Sequence, residues 1–248
     1  MQENHTAAVS KVAVVTGGTR NIGRAISTRL AQDGYRVVMN YLHNDAEAEE
    51  TLNLVVADSP DSFAVKADVS TKEGADSVMK AAISQFGRVD VLVNNVGPFL
   101  VKHIADMTPD EWRQLIDGNL TSAFLCSRLA IAAMRGQGGG SIVFIGTAKA
   151  GSAAAVGAYG IAKTGVAMLA KYIAKTEGKH GIRANVVNPG FIVTDISECR
   201  EIEKWTPTIP LGRFGIPREV ASVVAFLLSA EAEYITGAVI DVTGGAWL

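Results

Sequence analysis

Tyr159 and Lys163 stand four positions apart in the run YGIAK, a spacing that places both on one face of a helix. Such a pair can carry a proton. A free phenol titrates near 10, and a drop of roughly 3 units, enough for exchange near neutrality, requires about 4 kcal/mol in favour of the phenolate. One ammonium about 4 Å away, at an effective dielectric of about 20, supplies about 4 kcal/mol. The magnitudes suffice, although the same spacing is commonly a packed ring beside a solvated amine. Three upstream hydroxyls could assist, at Ser141, Thr147 and Ser152. Parallel strands aim their C-terminal ends at the ligand crevice, and the run SIVFIGT ends at Thr147. Strand position therefore selects Thr147, whose O–H can bond a substrate carbonyl while its methyl restricts χ1. Ser152, in the Ala-rich connection, is the alternative.

A second constellation lies near the start. The run KVAVVT leads into TGGTRNIGRAI, so Gly17, Thr19, Arg20, Asn21, Ile22 and Gly23 occupy a strand-to-helix turn. Small residues there let backbone N–H groups and a helix N-terminus meet a pyrophosphate. An ordinary βα loop is the plain alternative, but the position after the first strand of a βαβ unit favours a dinucleotide. The second strand ends in Asn40 and Tyr41, with no acid before Asp45. An acid there would accept from the ribose 2′-OH and repel a 2′-phosphate. Its absence, with Arg20 in the turn as a charged partner, predicts NADP(H) rather than NAD.

These groups need a scaffold. Strand candidates are Lys11–Thr16, Arg36–Asn40, Ser62–Lys66, Val89–Val93, Ser141–Ile145, Arg183–Val187 and Ala238–Val242, mostly apolar throughout. Helical patterns run over Ile22–Asp33, Ala46–Ala57, Lys72–Phe86, Pro109–Met134, Tyr159–Lys179 and Pro217–Ser229. Thr108, Pro109, Asp110 and Glu111 fit a helix start with N-cap, first position and acidic first turn. Repeated βα units predict an α/β fold, a doubly wound, mainly parallel seven-stranded sheet with helices on both faces. Residues 1–10 read as a polar tail and residues 11–248 as one domain, since no linker or repeat divides them.

Composition excludes other classes. With 48% apolar and 19% charged residues in 248, the chain can bury a large core and is not disordered. A net charge of −2 and the lack of long Lys/Arg runs argue against nucleic acid. No run of about 18 apolar residues suggests a membrane span, and the tail lacks a signal-peptide core. His5, His43, His103 and His180 are scattered, and Cys126 and Cys199 form no ligand spacing, so no metal is expected. Cys126 reads as a buried small hydrophobe. A cytoplasmic soluble protein is the expectation.

Taken together, TGGTRNIG, Asp68-Val69, NNVG (Asn94–Gly97), Asn119, YGIAK and NPGFIVT (Asn188–Thr194) follow successive strands in order. On these motifs the chain resembles the short-chain dehydrogenase/reductase family over essentially residues 10 to 248. It is most similar to the group containing 3-oxoacyl-carrier-protein reductases, whose C-terminal segments look like PLGRFGIPREVASVVAFLLS and YITGAVIDVTGG. The resemblance implies a Rossmann fold and a catalytic set of Asn119, Thr147, Tyr159 and Lys163. It departs at Thr147, where the family usually has Ser, one residue further from the Tyr. It also implies that Lys163 holds the nicotinamide ribose and that Asn119 supports a water. Asp68 would contact the adenine amine, with Val69 beside it; on the residue alone, Asp68 is equally a helix N-terminal acid. Asn94 and Gly97 would border the adenosine ribose, and Pro189, Gly190, Ile192 and Thr194 would lie along the nicotinamide, the last two orienting its carboxamide.

The substrate is expected over Thr194–Phe214, where Trp205 either anchors a lid or, as we prefer, packs the loop. A carrier protein is acidic and calls for basic residues at the entrance. The turn RGQGGGS offers Arg135 alone, and EGKHGIR sets Lys179 and His180 beside Glu177. A small ketone or aldehyde is therefore preferred, with a 3-oxoacyl thioester as alternative. A dinucleotide-binding regulator with weak turnover is the reading from another class. Ala-rich helix faces and the resemblance suggest a homotetramer or dimer, unless those faces pack within one subunit. On the cofactor, kcat/KM with NADPH should exceed that with NADH; the reverse order would contradict the reading of Arg20 and Asn40.

Overall fold

The computed structural model describes residues 10–148, 157–194 and 199–247. The N-terminal tail through Val9 and Ser152 therefore lie outside the described residues. Seven strands form: β1 (Val12–Val15), β2 (Arg36–Tyr41), β3 (Phe63–Lys66), β4 (Val91–Asn94), β5 (Gly140–Ile145), β6 (Ile182–Pro189) and β7 (Val239–Val242). They make one sheet in the order β3-β2-β1-β4-β5-β6-β7, with every pair parallel. The order reverses between β1 and β4, which opens a crevice beyond their C-terminal ends.

Alternation along each strand divides the core between two faces. Val12, Val14, Leu92, Ile142 and Phe144 point to one side, against α3 (Lys72–Phe86), α5 (Ser122–Gly136) and α6 (Gly157–Glu177). Ala13, Val15, Val37, Met39, Val93 and Val143 point to the other, against α1 (Asn21–Gln32) and α8 (Pro217–Leu228). Being covered on both sides is why these strands carry apolar residues almost throughout. Cys126 lies in the first cluster as a buried hydrophobe, its thiol pushed up to about 12 by burial. The remaining helices are α2 (Asp45–Asp58), α4 (Pro109–Ile116) and α7 (Cys199–Trp205).

Helix ends follow local chemistry. Thr71 accepts from Gly74 N at the start of α3, and Gly87, with φ of 72°, ends it. Thr108 and Glu111 form a capping box at α4. The single helix expected over Pro109–Met134 is not continuous: between α4 and α5, residues Asp117–Thr121 form a π turn. Asn119 Nδ2 donates to the Leu115 carbonyl and to Pro98 O, both at 2.9 Å, so a side chain takes a carbonyl one turn back. Gly118 lies against the Pro98 ring, where a Cβ would come within 2.6 Å. The sequence pattern predicts no helix over α7, because its seven residues show no apolar stripe of their own; it is attached through Trp205.

At the far end from the crevice, Arg135 on α5 meets Glu177 on α6 through two bonds of 2.7 and 2.8 Å. The carboxyl is buried, and the guanidinium holds it below its usual range. A carboxyl lowered in the folded state contributes stability above the ordinary carboxylate pKa and loses it as pH falls through the lowered value. Arg135→Met should therefore lower Tm near neutrality and lose less further stability on acidification than the parent. Equal acid sensitivity of the two, by calorimetry at neutral and acidic pH, would contradict this.

Candidate active site

Three strand ends and one interrupted helix build the site. Beyond Ile145, β5 continues through Gly146 to Thr147, where a Cβ on Gly146 would run into Asn188 Oδ1 of the neighbouring strand. Glycine is what allows β5 and β6 to stay close there. The Thr147 hydroxyl hydrogen-bonds the Tyr159 phenol. Lys163, one turn along α6, is 5% exposed, and its Nζ donates to the Ile145 carbonyl at 2.8 Å. Asn119, 1% exposed, uses its amide N–H groups on Pro98 and Leu115. Its Oδ1 is buried and has no partner among the described residues. Gly97 sits between the two: a Cβ there would reach 2.8 Å from Lys163 Nζ and collide with Asn119 Oδ1. The π turn thus delivers an open acceptor beside the buried ammonium, the kind of pocket that a water with polar partners fills.

The electrostatics correct the sequence-based expectation for the phenol. Burial raises the Tyr159 pKa, and the Thr147 hydrogen bond pulls against that rise without cancelling it. Lys163 Nζ is 5.8 Å from the ring centroid and donates to the Ile145 carbonyl instead of the phenol, so any lowering by the ammonium is outweighed by burial. Desolvation dominates because the ring is half-buried, with Phe99 edge-on at 5.0 Å and 87°. Burial also pushes Lys163 down to about 8.

A crevice of about 640 Å³ adjoins this set and is lined by Gly17, Thr19, Arg20, Asn21, Ile22, Gly23, Asn40, Tyr41, Asp68, Val69 and Gly97, among others. Gly17, at φ 59°, turns the chain in the left-handed region. Gly23 packs onto the Gly17 carbonyl so closely that no Cβ fits. Arg20 provides no side-chain cap to α1, and the first residues of that helix, Asn21, Ile22 and Gly23, line the crevice, where a helix N-terminus favours an anion. Asn40 lines the crevice, but its side chain is buried: Oδ1 accepts from Gly17 N, and Nδ2 donates to Ala67 O at 2.8 Å. It braces the glycine turn. Asp68 lines the opposite wall with Oδ1 bonded to Ser70 N and Oγ.

Asn94 turns inward to Ser127 Oγ at 3.0 Å, and Asn95 lines the crevice in its place. Asn95 Nδ2 donates to the Thr16 and Gly17 carbonyls at 3.1 and 2.9 Å, which ties β4 to the glycine turn. Pleat alternation along NNVG was the available signal for that exchange. Pro189 ends β6 beside Thr147, since Ala148 N donates to Pro189 O at 3.4 Å. Gly190 N donates to Val242 O and Ile192 bridges Gly215, carrying the chain past Val193 to Thr194 on the same side of the sheet. Trp205 stacks on Phe191 at 5.5 Å, which supports packing rather than a free lid. Ser141 is buried at the opposite end of β5 and has no access to Tyr159.

A tight glycine cradle, an uncapped helix start and the open Asn119 acceptor fit a nicotinamide dinucleotide. Arg20 and the α1 N-terminus would hold its phosphates, and Lys163 its nicotinamide-side ribose. Among the described residues no group of His, Cys, Asp or Glu is placed to hold a metal, and no helix is long and apolar enough to cross a membrane. This arrangement defines a class of oxidoreductases, and the comparisons agree: the chain belongs to the short-chain dehydrogenase/reductase family. Within it, the similarity is to the 3-oxoacyl-carrier-protein reductase-like group. A family model described as Enoyl-(Acyl carrier protein) reductase matches residues 17–246. The 3-oxoacyl-[acyl-carrier-protein] reductase FabG of Staphylococcus aureus is 38% identical, covering 97% of this chain and 99% of that one. A double mutant of a Serratia marcescens short-chain dehydrogenase/reductase superposes with a TM-score of 0.90 at 31% identity, covering 96% of this chain and 98% of that one. An acetoin dehydrogenase from Enterobacter cloacae gives 0.89 at 36%, covering 96% of each.

A lysine lowered from 10.5 to about 8 has a definite linkage sign. Between those values the unfolded chain binds the extra proton, so stability contributed at this site rises with pH across the window. Denaturant midpoints near pH 8 and above pH 10 should show that gain in the parent and less of it in Lys163→Met. Identical pH slopes would mean that the amine is not buried.

Proposed function

We propose that the chain is an NADP(H)-dependent reductase of small ketones or aldehydes, with Tyr159 as proton donor. The observation that carries the proposal is the Thr147–Tyr159 hydroxyl pair at the end of β5, above a buried Lys163. Bound in the crevice, the reduced nicotinamide would supply a hydride. Thr147 then hydrogen-bonds the substrate oxygen, where negative charge develops, and Tyr159 passes its proton to that oxygen as the alcohol forms. A phenol whose pKa burial holds up is protonated at neutral pH, which suits a donor in the reductive direction. Asn119 Oδ1 and Lys163 Nζ flank the position of a water through which the phenol is reprotonated. Arg20 and the neutral Asn40 at the adenosine end favour the 2′-phosphate.

Two relatives pull toward different substrates. The Staphylococcus aureus relative carries a name that specifies a 3-oxoacyl-carrier-protein, and the Enterobacter cloacae structure is called an acetoin dehydrogenase, whose name specifies a small hydroxyketone. The expected carrier platform does not bear on the choice, because Arg135 on α5 and its partner Glu177 lie at the far end of the sheet from the crevice. The likeness to the acetoin dehydrogenase structure, with a TM-score of 0.89 at 36% identity, supports our preference for a small carbonyl. The 3-oxoacyl thioester is the second reading, favoured by the 38% identity itself. A weakly catalytic regulator has only the Thr147 departure behind it. We place the protein in the cytoplasm as a homotetramer or dimer. Phe124 on α5 and Ile161, Met168 and Tyr172 on α6, each 47 to 63% exposed, provide an apolar face for association.

A panel of diacetyl, acetoin, simple aldehydes and acetoacetyl-CoA with NADPH tests the assignment. Small carbonyls should be consumed faster than the thioester; the opposite order would select the second reading, and binding without turnover the regulator. Tyr159→Phe should lower kcat by about 10²–10⁴-fold while NADPH affinity stays near the parent value. Thr147→Val should also lower kcat; unchanged turnover would remove Thr147 from the mechanism.

A further inference from the structure

The proton donor has an aromatic neighbour that the chemistry above does not use. Phe99 meets the Tyr159 ring edge-on, with centroids 5.0 Å apart and planes at 87°. It belongs to none of the hydrophobic clusters among the described residues, and 53% of it stays exposed. Its backbone is nevertheless held in place. Gly97 passes so close to Asn119 and Lys163 that no side chain fits there. Pro98 then fixes the turn: its ring lies on Gly118, and its carbonyl accepts from Asn119 Nδ2 at 2.9 Å. Farther along the loop, Lys102 Nζ reaches both Glu111 carboxylate oxygens, at 2.7 and 2.8 Å. Glu111 in turn closes the capping box with Thr108. The loop is tied on both sides of Phe99, and Asn119 sets where the ring stands.

We infer that Phe99 is a specificity-determining residue, a wall on which a substituent of the substrate carbonyl packs, so that carbonyls bearing an apolar group are preferred. This rests on the reductase reading above and names the substrate class for that site. Tyr159 is only half-buried, and its hydroxyl is bonded to Thr147. A carbonyl oxygen held by those two hydroxyls brings its substituents beside the neighbours of the phenol. Phe99, already in contact with the Tyr159 ring, offers them apolar surface and no hydrogen-bond partner. An alkyl group gains at such a wall by leaving water. The hydroxyl of a hydroxyketone gives up its water there and finds no replacement.

The test is kcat/KM with NADPH along acetone, methyl ethyl, methyl propyl and methyl butyl ketone, with acetoin as the polar comparator. In the parent, each added methylene should raise the value by about 2- to 4-fold, and methyl propyl ketone should exceed acetoin. Phe99→Ala should flatten that slope, and Phe99→Leu, which keeps an apolar side chain, should restore most of it. Because the slope is a ratio within one variant, a general loss of activity or of folded protein does not move it. A flat series in the parent overturns the inference, as does an equal slope in Phe99→Ala or a parent that prefers acetoin. A parent that reduces none of these ketones would instead defeat the reductase reading. Calorimetric binding of the same series to the NADP⁺-loaded chain then judges the wall without turnover: dissociation constants that fall with chain length in the parent and not in Phe99→Ala support it, and parallel series overturn it.

Discussion

One buried ammonium organises this protein. Lys163 is taken almost completely out of water, a position that depresses its pKa and is tolerated because its Nζ donates a hydrogen bond to the Ile145 carbonyl. That carbonyl is available only at the last residue of β5, where the ladder with β6 finishes. The lysine, the strand end and the Tyr159 one turn earlier are therefore fixed relative to one another by backbone geometry. Thr147 follows two residues beyond the same carbonyl and reaches the phenol. The proposed catalytic set is in this sense a property of how β5 ends.

The other requirement is close approach. Around the crevice the main chain passes other groups at distances that exclude a side chain. Gly23 lies against Gly17, Gly97 beside Asn119 and Lys163, and Gly146 against Asn188. Asn40 and Asn95 hold the glycine turn from β2 and β4, so the phosphate cradle is braced from both neighbouring strands. The π turn at Asp117–Thr121 serves the same end from the helical side, since it is the Asn119 amide that occupies the Leu115 carbonyl and leaves Oδ1 facing Lys163. Side chains that read as polar decoration are here the joints between elements.

Much of the architecture was legible because parallel strands covered on both faces leave a strong pattern, and all seven runs became strands within a few residues of their expected ends. The boundaries of α3 needed no adjustment, since Thr71 and Gly87 mark them chemically. What escaped was decided by tertiary contact. Nothing in a helical apolar period announces a π turn, and the short α7 has no stripe of its own. In NNVG the two asparagines differ only in which way the pleat turns them, and the inward one bonds Ser127, a residue 33 positions away. The sign of the Tyr159 shift was missed for a related reason. A spacing of four residues reports a shared helix face, but not that the ammonium points at a carbonyl while the ring loses water.

The central claim is that burial outweighs the lysine at the phenol in the free protein. It is tested most directly by ultraviolet titration of the parent against Tyr159→Phe, whose difference isolates this one ring. The account predicts phenolate absorbance emerging only above the ordinary value of 10.0. Ionisation of Tyr159 at or below that value, with no dinucleotide present, would contradict it.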